Sequence, residues 1–268
     1  MFRSTPFLEI LFICLWNSGF IGAEYGLPYA GVFTQLFWRY AALALLLFLY
    51  LLVTKRLRWP GWPAAAPVFF VGILAHAAWL SCSLLSIEYG VPAGVVALVV
   101  ALQPLLTGAL SGKVAGEPTP IHRWIGMGIG FAGVTLAVLA RVNLNDSTSL
   151  FFHFIPLGAV AAMTAATLIQ RRIELIRHDK VLPLDVSLFY QCLASAAVLL
   201  LPAVCFEKLH TDWQPEFFGS LLWLIGAVSL CAYSLMFDLI KRIDATRLSS
   251  LFFLGPPITM LMGWAFFG

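Results

Sequence analysis

An all-α protein that crosses a membrane many times is the fold class this sequence predicts, and three observations predict it. Of 268 residues, 61% are hydrophobic and only 11% are charged, against roughly 25% charged in ordinary soluble domains. The apolar residues gather into runs of the length that a helix needs to cross a hydrocarbon core about 30 Å thick. The runs are continuously apolar and do not alternate with period two, so they read as helices and not as barrel strands. Sixteen basic and 13 acidic side chains are too few to solvate a globule of this size. A soluble enzyme, a disordered chain and a nucleic-acid binder are thereby excluded, and the partner that remains is the lipid bilayer.

Nine spans follow in order, near residues 7–27, 31–53, 64–86, 92–113, 122–140, 150–173, 185–206, 217–241 and 246–267. The first could pass for a signal peptide, but Asn17 sits at its centre and no small-x-small cleavage site follows it. With eight more spans behind it, it reads as a retained helix. Lys55, Arg56 and Arg58 close the second span, Lys113 closes the fourth and Arg123 opens the fifth. Gly126, Gly130 and Gly133 give the fifth a small-residue face suited to close helix packing. Arg171 and Arg172 end the sixth, and the longest polar stretches, near 174–184 and 207–216, bracket the seventh. Asp238 with Lys241 and Arg242 ends the eighth as a helix-surface ion pair, and Pro256-Pro257 lies within the ninth. Cys14, Cys82, Cys192, Cys205 and Cys231 lie singly in apolar runs, so neither a disulfide framework, a metal site nor a cofactor is implied.

Lys and Arg bias sets the orientation. With the N-terminus cytoplasmic, the inner connections carry Arg3, the three residues 55, 56 and 58, Lys113, Arg123, Arg171, Arg172, Arg177, Lys180, Lys241, Arg242 and Arg247. The outer side keeps only Arg141 and Lys208, and Arg39 lies inside a span. Thirteen against two is a strong asymmetry, and it places residue 268 on the outer side.

A constant offset of 152 relates the two halves. LFWRYAALALLLFL (36–49) falls on LFYQCLASAAVLLL (188–201) with six identities in fourteen, Trp38 opposite Tyr190. The same offset pairs Leu102, Pro104, Thr107 and Gly116 with Leu254, Pro256, Thr259 and Gly268. The first span against the sixth, and the third against the eighth, match far more weakly. A unit of five spans is odd, so the second copy enters the membrane from the other side, the inverted repeat of many secondary transporters. The units are expected at 1–145 and 146–268, and the second holds four helices, its tenth-helix partner to 126–138 being absent.

LWNSGFIGAEYGL (15–27), LFWRYAALALLL (36–47), and ALQPLLTGALSGKVAGE followed by GMGIGFAGVTLAV resemble the first half of an EamA-type protein of the drug/metabolite transporter superfamily. The resemblance implies a ten-helix inverted repeat (a 5+5 plan), a multi-pass protein of the bacterial cytoplasmic (inner) membrane, and export of a small metabolite. It also implies a central cavity lined by spans one, three, four, six, eight and nine. The chain departs from the family pattern at its absent last helix, at Glu24 and at Gln103.

Polar groups in hydrocarbon are costly and need a partner or a purpose. Asn17, His76 and Gln103 lie at span midpoints, Tyr233 a turn from one, and Trp16 and Trp79 flank this level. These six are the candidate substrate-binding residues, since amide, imidazole and indole groups suit a small amphiphilic solute such as an amino acid. Asn and Gln that bond neighbouring helices, and a packing histidine, give the plainer reading of the same residues. Arg39, about 12 Å deep at 1.5 Å per residue, reads as structural, and Glu24 and Glu88 as hydrated outer residues. Pro104, Pro256 and Pro257 are candidate gating residues, because proline removes a helix hydrogen bond and leaves a kink.

The rival to a transporter is an intramembrane enzyme or a lipid-handling subunit. The spans offer no HExxH, no deep carboxylate pair and no Ser beside a Lys or His partner, so no catalytic residue is assigned. With no deep acid available, His76 is the one central side chain whose ordinary pKa lies near neutral pH, and burial favours its neutral ring. Transport without obligatory proton coupling is expected.

Overall fold

The computed structural model describes residues 5–115, 121–139, 147–176, 182–240, 242–243, 251–252 and 254–267. In chain order the helices are α1 (Thr5–Gly26), α2 (Val32–Val53), α3 (Trp62–Gly72), α4 (Trp79–Glu88), α5 (Ala93–Val100), α6 (Gln103–Ala115) and α7 (Ile121–Leu139). There follow α8 (Ser147–Phe154), α9 (Pro156–Ile176), α10 (Leu184–Cys205), α11 (Pro215–Trp223), α12 (Tyr233–Ile240) and α13 (Gly255–Phe267). Two π-helical stretches, Ile73–Ala78 and Leu224–Ala232, join α3 to α4 and α11 to α12. The one pairing of extended backbone among the described residues is a single antiparallel bridge between Ala30 and Thr211.

Seven segments are long and apolar enough to cross a membrane: Thr5–Gly26, Val32–Val53, Trp62–Glu88, Ala93–Leu110, Phe151–Ile173, Leu184–Cys205 and Pro215–Met236. They fall on the first four expected spans and on the sixth, seventh and eighth. The fifth and ninth positions hold α7, of 19 residues, and α13, of 13; neither is among the seven. Leucines such as Leu45, Leu49, Leu201 and Leu222 stand exposed along these helices, the face a bundle turns to lipid. Trp59 and Trp62 at one end and Trp213 and Tyr89 at the other are also exposed, as aromatic residues of a membrane interface are.

The offset of 152 recurs in the backbone hydrogen bonds. The C-terminus of α2 is closed by the Leu57 N–H on the Leu51 carbonyl at 3.1 Å, and that of α10 by Leu209 on Ala203 at 2.8 Å. Both closures turn through left-handed residues, Lys55 at φ 54° in one and Lys208 and Leu209 at φ 55° and 53° in the other. This is the cap that satisfies the last carbonyls of a helix. Gly90 on Ile87 and Arg242 on Leu239 match at 2.9 Å, and Leu102 on Val99 and Leu254 on Leu251 at 3.0 Å. The π-helical stretches lie about one repeat apart as well, in the span pair whose sequences align weakly.

The equivalent helices α2 and α10 pack side by side and antiparallel, held at both ends. At one end the Glu207 carboxylate, just past α10, accepts the N–H groups of Phe33 (3.0 Å) and Thr34 (2.7 Å) in the first turn of α2. The Trp38 indole N–H donates to Thr211 Oγ1 at 3.0 Å beside it. At the other end Arg56 pairs with Asp185 at 2.7 Å, and the Tyr190 hydroxyl donates to the Arg58 carbonyl at 2.8 Å. Trp38 and Tyr190, aligned by the repeat, thus perform the same task at opposite ends. The connections assigned to one side by charge also meet each other. Midway, Gly72 lies so close to α10 that a Cβ there would sit 2.5 Å from the Gln191 Cα.

The prolines and the glycine face differ in detail from expectation. Pro104 and Pro256 each take the second position of a helix, α6 and α13, where the missing N–H costs nothing, and Pro104 follows a turn at 101–102 that divides the Ala93–Leu110 span into α5 and α6. The glycine face of α7 is open, since a Cβ at Gly126 or Gly133 would meet nothing within 4 Å among the described residues. Asp238 pairs with Arg242 at 2.8 Å as the spacing predicts. Arg3, Arg141, Arg177, Lys180, Lys241 and Arg247, and the aligned Gly116 and Gly268, lie outside the described residues.

Candidate functional site

A cavity of about 30 Å³ lies among α1, α2, α4 and the second π-helical stretch, lined by Trp16, Gly19, Phe20, Arg39, Tyr40, Trp79, Leu80, Leu84, Val228 and Tyr233. Each element brings its residues for a local reason. On α1, Trp16, Gly19 and Phe20 follow the three- and four-residue spacing of one helix face. A Cβ at Gly19 would come within 3.1 Å of Val228, so glycine lets α1 approach the π-helical stretch closely. π-Helical turns widen the helix and re-aim its side chains, and they concentrate at functional sites. Here one carries His76 and the other carries Val228 and Ser229, with Trp79 and Tyr233 the first residues after them.

The walls are aromatic. The rings of Trp16 and Tyr233 lie 5.2 Å apart, and those of Phe20 and Trp79 6.5 Å. Tyr40 stands between the cavity and His76, its ring 5.2 Å from the imidazole, which is 6.3 Å from Tyr233. His76 is itself buried and bonds through Nε2 to Gln191 Oε1 at 3.1 Å. The Gln191 amide nitrogen donates to Ser187, which leaves its oxygen to accept from an Nε2–H imidazole. His76 therefore backs the wall and ties α10 to it.

One charge faces this apolar surround. Arg39 is buried to 4% exposure and donates from Nε and Nη2 to Ser229 Oγ at 3.2 and 3.0 Å. Its guanidinium carbon lies 5.6 Å from the Tyr40 ring centre. The Trp79 Nε1–H is buried without an acceptor among the described residues.

Of the six candidate binding residues, the fold brings Trp16, Trp79 and Tyr233 to the cavity wall and His76 directly behind it. Asn17, one residue from Trp16, points instead to α13. It donates to the Ile13 carbonyl at 2.8 Å and accepts from Thr259 Oγ1 at 3.1 Å. Gln103 lies in a separate polar seam between α6 and α9, bonded to Thr107 at 2.9 Å and reaching Thr167 at 3.5 Å. Both amides join helices, the plainer reading of a buried Asn or Gln. Of the spans that the resemblance implies as lining, the first, third and eighth line this cavity, and the second joins them through Arg39 and Tyr40. Tyr40 and Ser229 carried no polar-midpoint signal; depth in the membrane marks both, but a tyrosine and a serine among apolar residues are common in packed helices.

The profile of the EamA-like transporter family matches the chain twice, over residues 5–139 and 154–268. No curated protein matches it. A solved structure described only as a crystal structure of a protein superposes with a TM-score of 0.65 at 19% identity, over 97% of this chain and 87% of that one. At that identity the likeness shows the fold alone.

Proposed function

The chain belongs to the EamA-like transporter family, and from that premise we propose that it exports a small metabolite, an amino acid or similar amphiphile, by alternating access. It is a multi-pass membrane protein of two family repeats. The observation that carries the proposal is the cavity, whose wall is built from both matched regions: Trp16, Arg39, Tyr40 and Trp79 from the first, Val228 and Tyr233 from the second. Transporters built from repeats hold their substrate at such an interface near mid-membrane. A volume of about 30 Å³ accommodates water and not a metabolite, whose sites run to roughly 300 Å³ and more. The substrate is therefore admitted by parting the helices around the cavity.

Further parts of the proposal rest on sequence pattern and the repeat bonds together. The units run 1–145 and 146–268 on an inverted 5+5 plan, with nine membrane helices and the N-terminus on the cytoplasmic side of a bacterial inner membrane. The antiparallel pairing of α2 with α10 supports the inversion, and Pro104 with Pro256-Pro257 supports a matched pair of mobile helix starts. Flux of a radiolabelled amino-acid mixture into proteoliposomes tests the transport reading. Uptake well above protein-free liposomes, saturating with concentration, is expected; uptake equal to protein-free liposomes for every amino acid and for a panel of small amphiphiles refutes it.

A further inference from the structure

Resting on that reading of the cavity, we infer that the substrate carries a carboxylate, received by Arg39 and Trp79, and that its arrival releases Arg39 from Ser229. An arginine inside hydrocarbon is among the costliest residues to place, and it persists where a counter-charge or a polar path meets it. No carboxylate pairs with Arg39 among the described residues; its polar partner is the single hydroxyl of Ser229, which takes two of its N–H donors. One neutral oxygen is a poor match for a five-donor fork that suits two carboxylate oxygens side by side. The same cavity wall includes the indole of Trp79, whose N–H is buried and without an acceptor among the described residues, a second donor that an incoming carboxylate satisfies. Around these donors stand Trp16, Phe20, Tyr40 and Tyr233, surfaces for the apolar body of an amphiphilic acid.

The location of Ser229 gives the exchange a consequence. Arg39 belongs to α2 and Ser229 to the second π-helical stretch, so their bond ties the first repeat to the second. A carboxylate competing for the guanidinium loosens that tie exactly when the cavity fills. Binding energy is thereby linked to separation of the two repeats, as a ligand shifts an equilibrium only through different affinity for its two states.

The test uses the purified full chain in detergent and three acid–amide pairs as probes: acetate and acetamide, phenylacetate and phenylacetamide, indole-3-acetate and indole-3-acetamide. Affinity is read from thermal stabilisation at fixed ionic strength, with sodium chloride as the inorganic-anion control. The aromatic acids are expected to bind at least about 10-fold tighter than their amides, the size of a lost charged hydrogen bond. Arg39→Gln abolishes that preference, and Trp79→Phe weakens it several-fold while leaving an aromatic wall. Ser229→Ala strengthens acid binding, because the competitor is gone; a merely structural Arg39–Ser229 bond predicts weaker binding or none. Acids and amides binding the folded wild type equally overturns the carboxylate assignment and leaves the cavity as a binding site. Stabilisation by chloride equal to that by the acids also overturns it, in favour of an inorganic anion. Absence of binding by every probe overturns both this inference and the cavity reading beneath it.

Discussion

The two ends of the α2–α10 pair are built on one plan from different chemistry. At the end bearing Glu207, a carboxylate caps the first turn of α2 through two backbone N–H groups, supported by the Ala30–Thr211 bridge and by Trp38 on Thr211. At the end bearing Arg56, the links are an ion pair in which both guanidinium Nη atoms meet Asp185, with side chains 48% and 19% exposed, and the Tyr190 hydroxyl on the Arg58 carbonyl. A carboxylate on helix N–H groups meets fixed donors and the positive end of the helix dipole. The ion pair is half in water on its Arg56 side, where salt screens it, and ordering two flexible side chains offsets part of its gain. The difference teaches that repeats alike in backbone are closed by unlike chemistry, and we propose that the Glu207 end is the firmer gate and the Arg56 end opens first.

The largest effect is expected at the helix that braces this pair from the side. Gly72→Val on α3 forces a branched side chain into the backbone of α10 at Gln191 and drives α3 and α10 apart. Overpacking of this kind costs about 1–3 kcal/mol or more, and the melting temperature in detergent should fall with it. An unchanged melting temperature shows that α10 has room to move there and that α3 does not brace the pair.

Removing the firmer closure comes next. Glu207→Gln keeps the size and loses the charge on the helix terminus, at a cost of about 1–2 kcal/mol. Gly31→Val should reproduce this, because a side chain at residue 31 collides with the Glu207 carboxylate. Asp185→Asn at the other end should cost less than about 1 kcal/mol and its effect should vanish at high salt. Equal losses from the two substitutions, or an effect at the Glu207 end that also vanishes at high salt, break the comparison.

The smallest effect expected is none. His76 is buried, bonded to Gln191 and separated from the cavity by Tyr40. We propose that it serves packing and that transport runs without obligatory proton coupling. Flux in liposomes should be the same with and without an imposed pH gradient, in wild type and in His76→Ala. Uphill accumulation driven by the gradient and lost in the variant makes His76 the coupling group instead.

Much of this was legible in the sequence. Apolar run length placed α1, α2, α10 and the long third and eighth spans within a few residues of their observed ends. The 152-residue offset anticipated which helix ends share hydrogen bonds. What span depth does not supply is azimuth. Successive helix residues turn by about 100°, so Trp16 and Asn17 share a depth while one meets the cavity and the other meets α13. Gln103 fails for the same reason, its helix start facing α9. The π-helical stretches have no signature in residue type, and they decide how His76, Trp79, Ser229 and Tyr233 are aimed. Arg39 was visible as the one deep charge, but its partner lies 190 residues away.

The central claim is that the cavity between the repeats is reached by opening the ends of this pair in turn. In a variant with the native cysteines replaced, Val228→Cys puts a thiol on the cavity wall, and Ala30→Cys with Thr211→Cys allows a disulfide across the bridge at the Glu207 end. A membrane-impermeant maleimide is then applied from each side of oriented vesicles, before and after reduction. The account predicts that the cavity thiol is shielded from the Glu207 side while the disulfide holds, becomes reactive from that side on reduction, and is reactive from the Arg56 side in both conditions. Labelling from the Glu207 side at the same rate with the disulfide intact would contradict it.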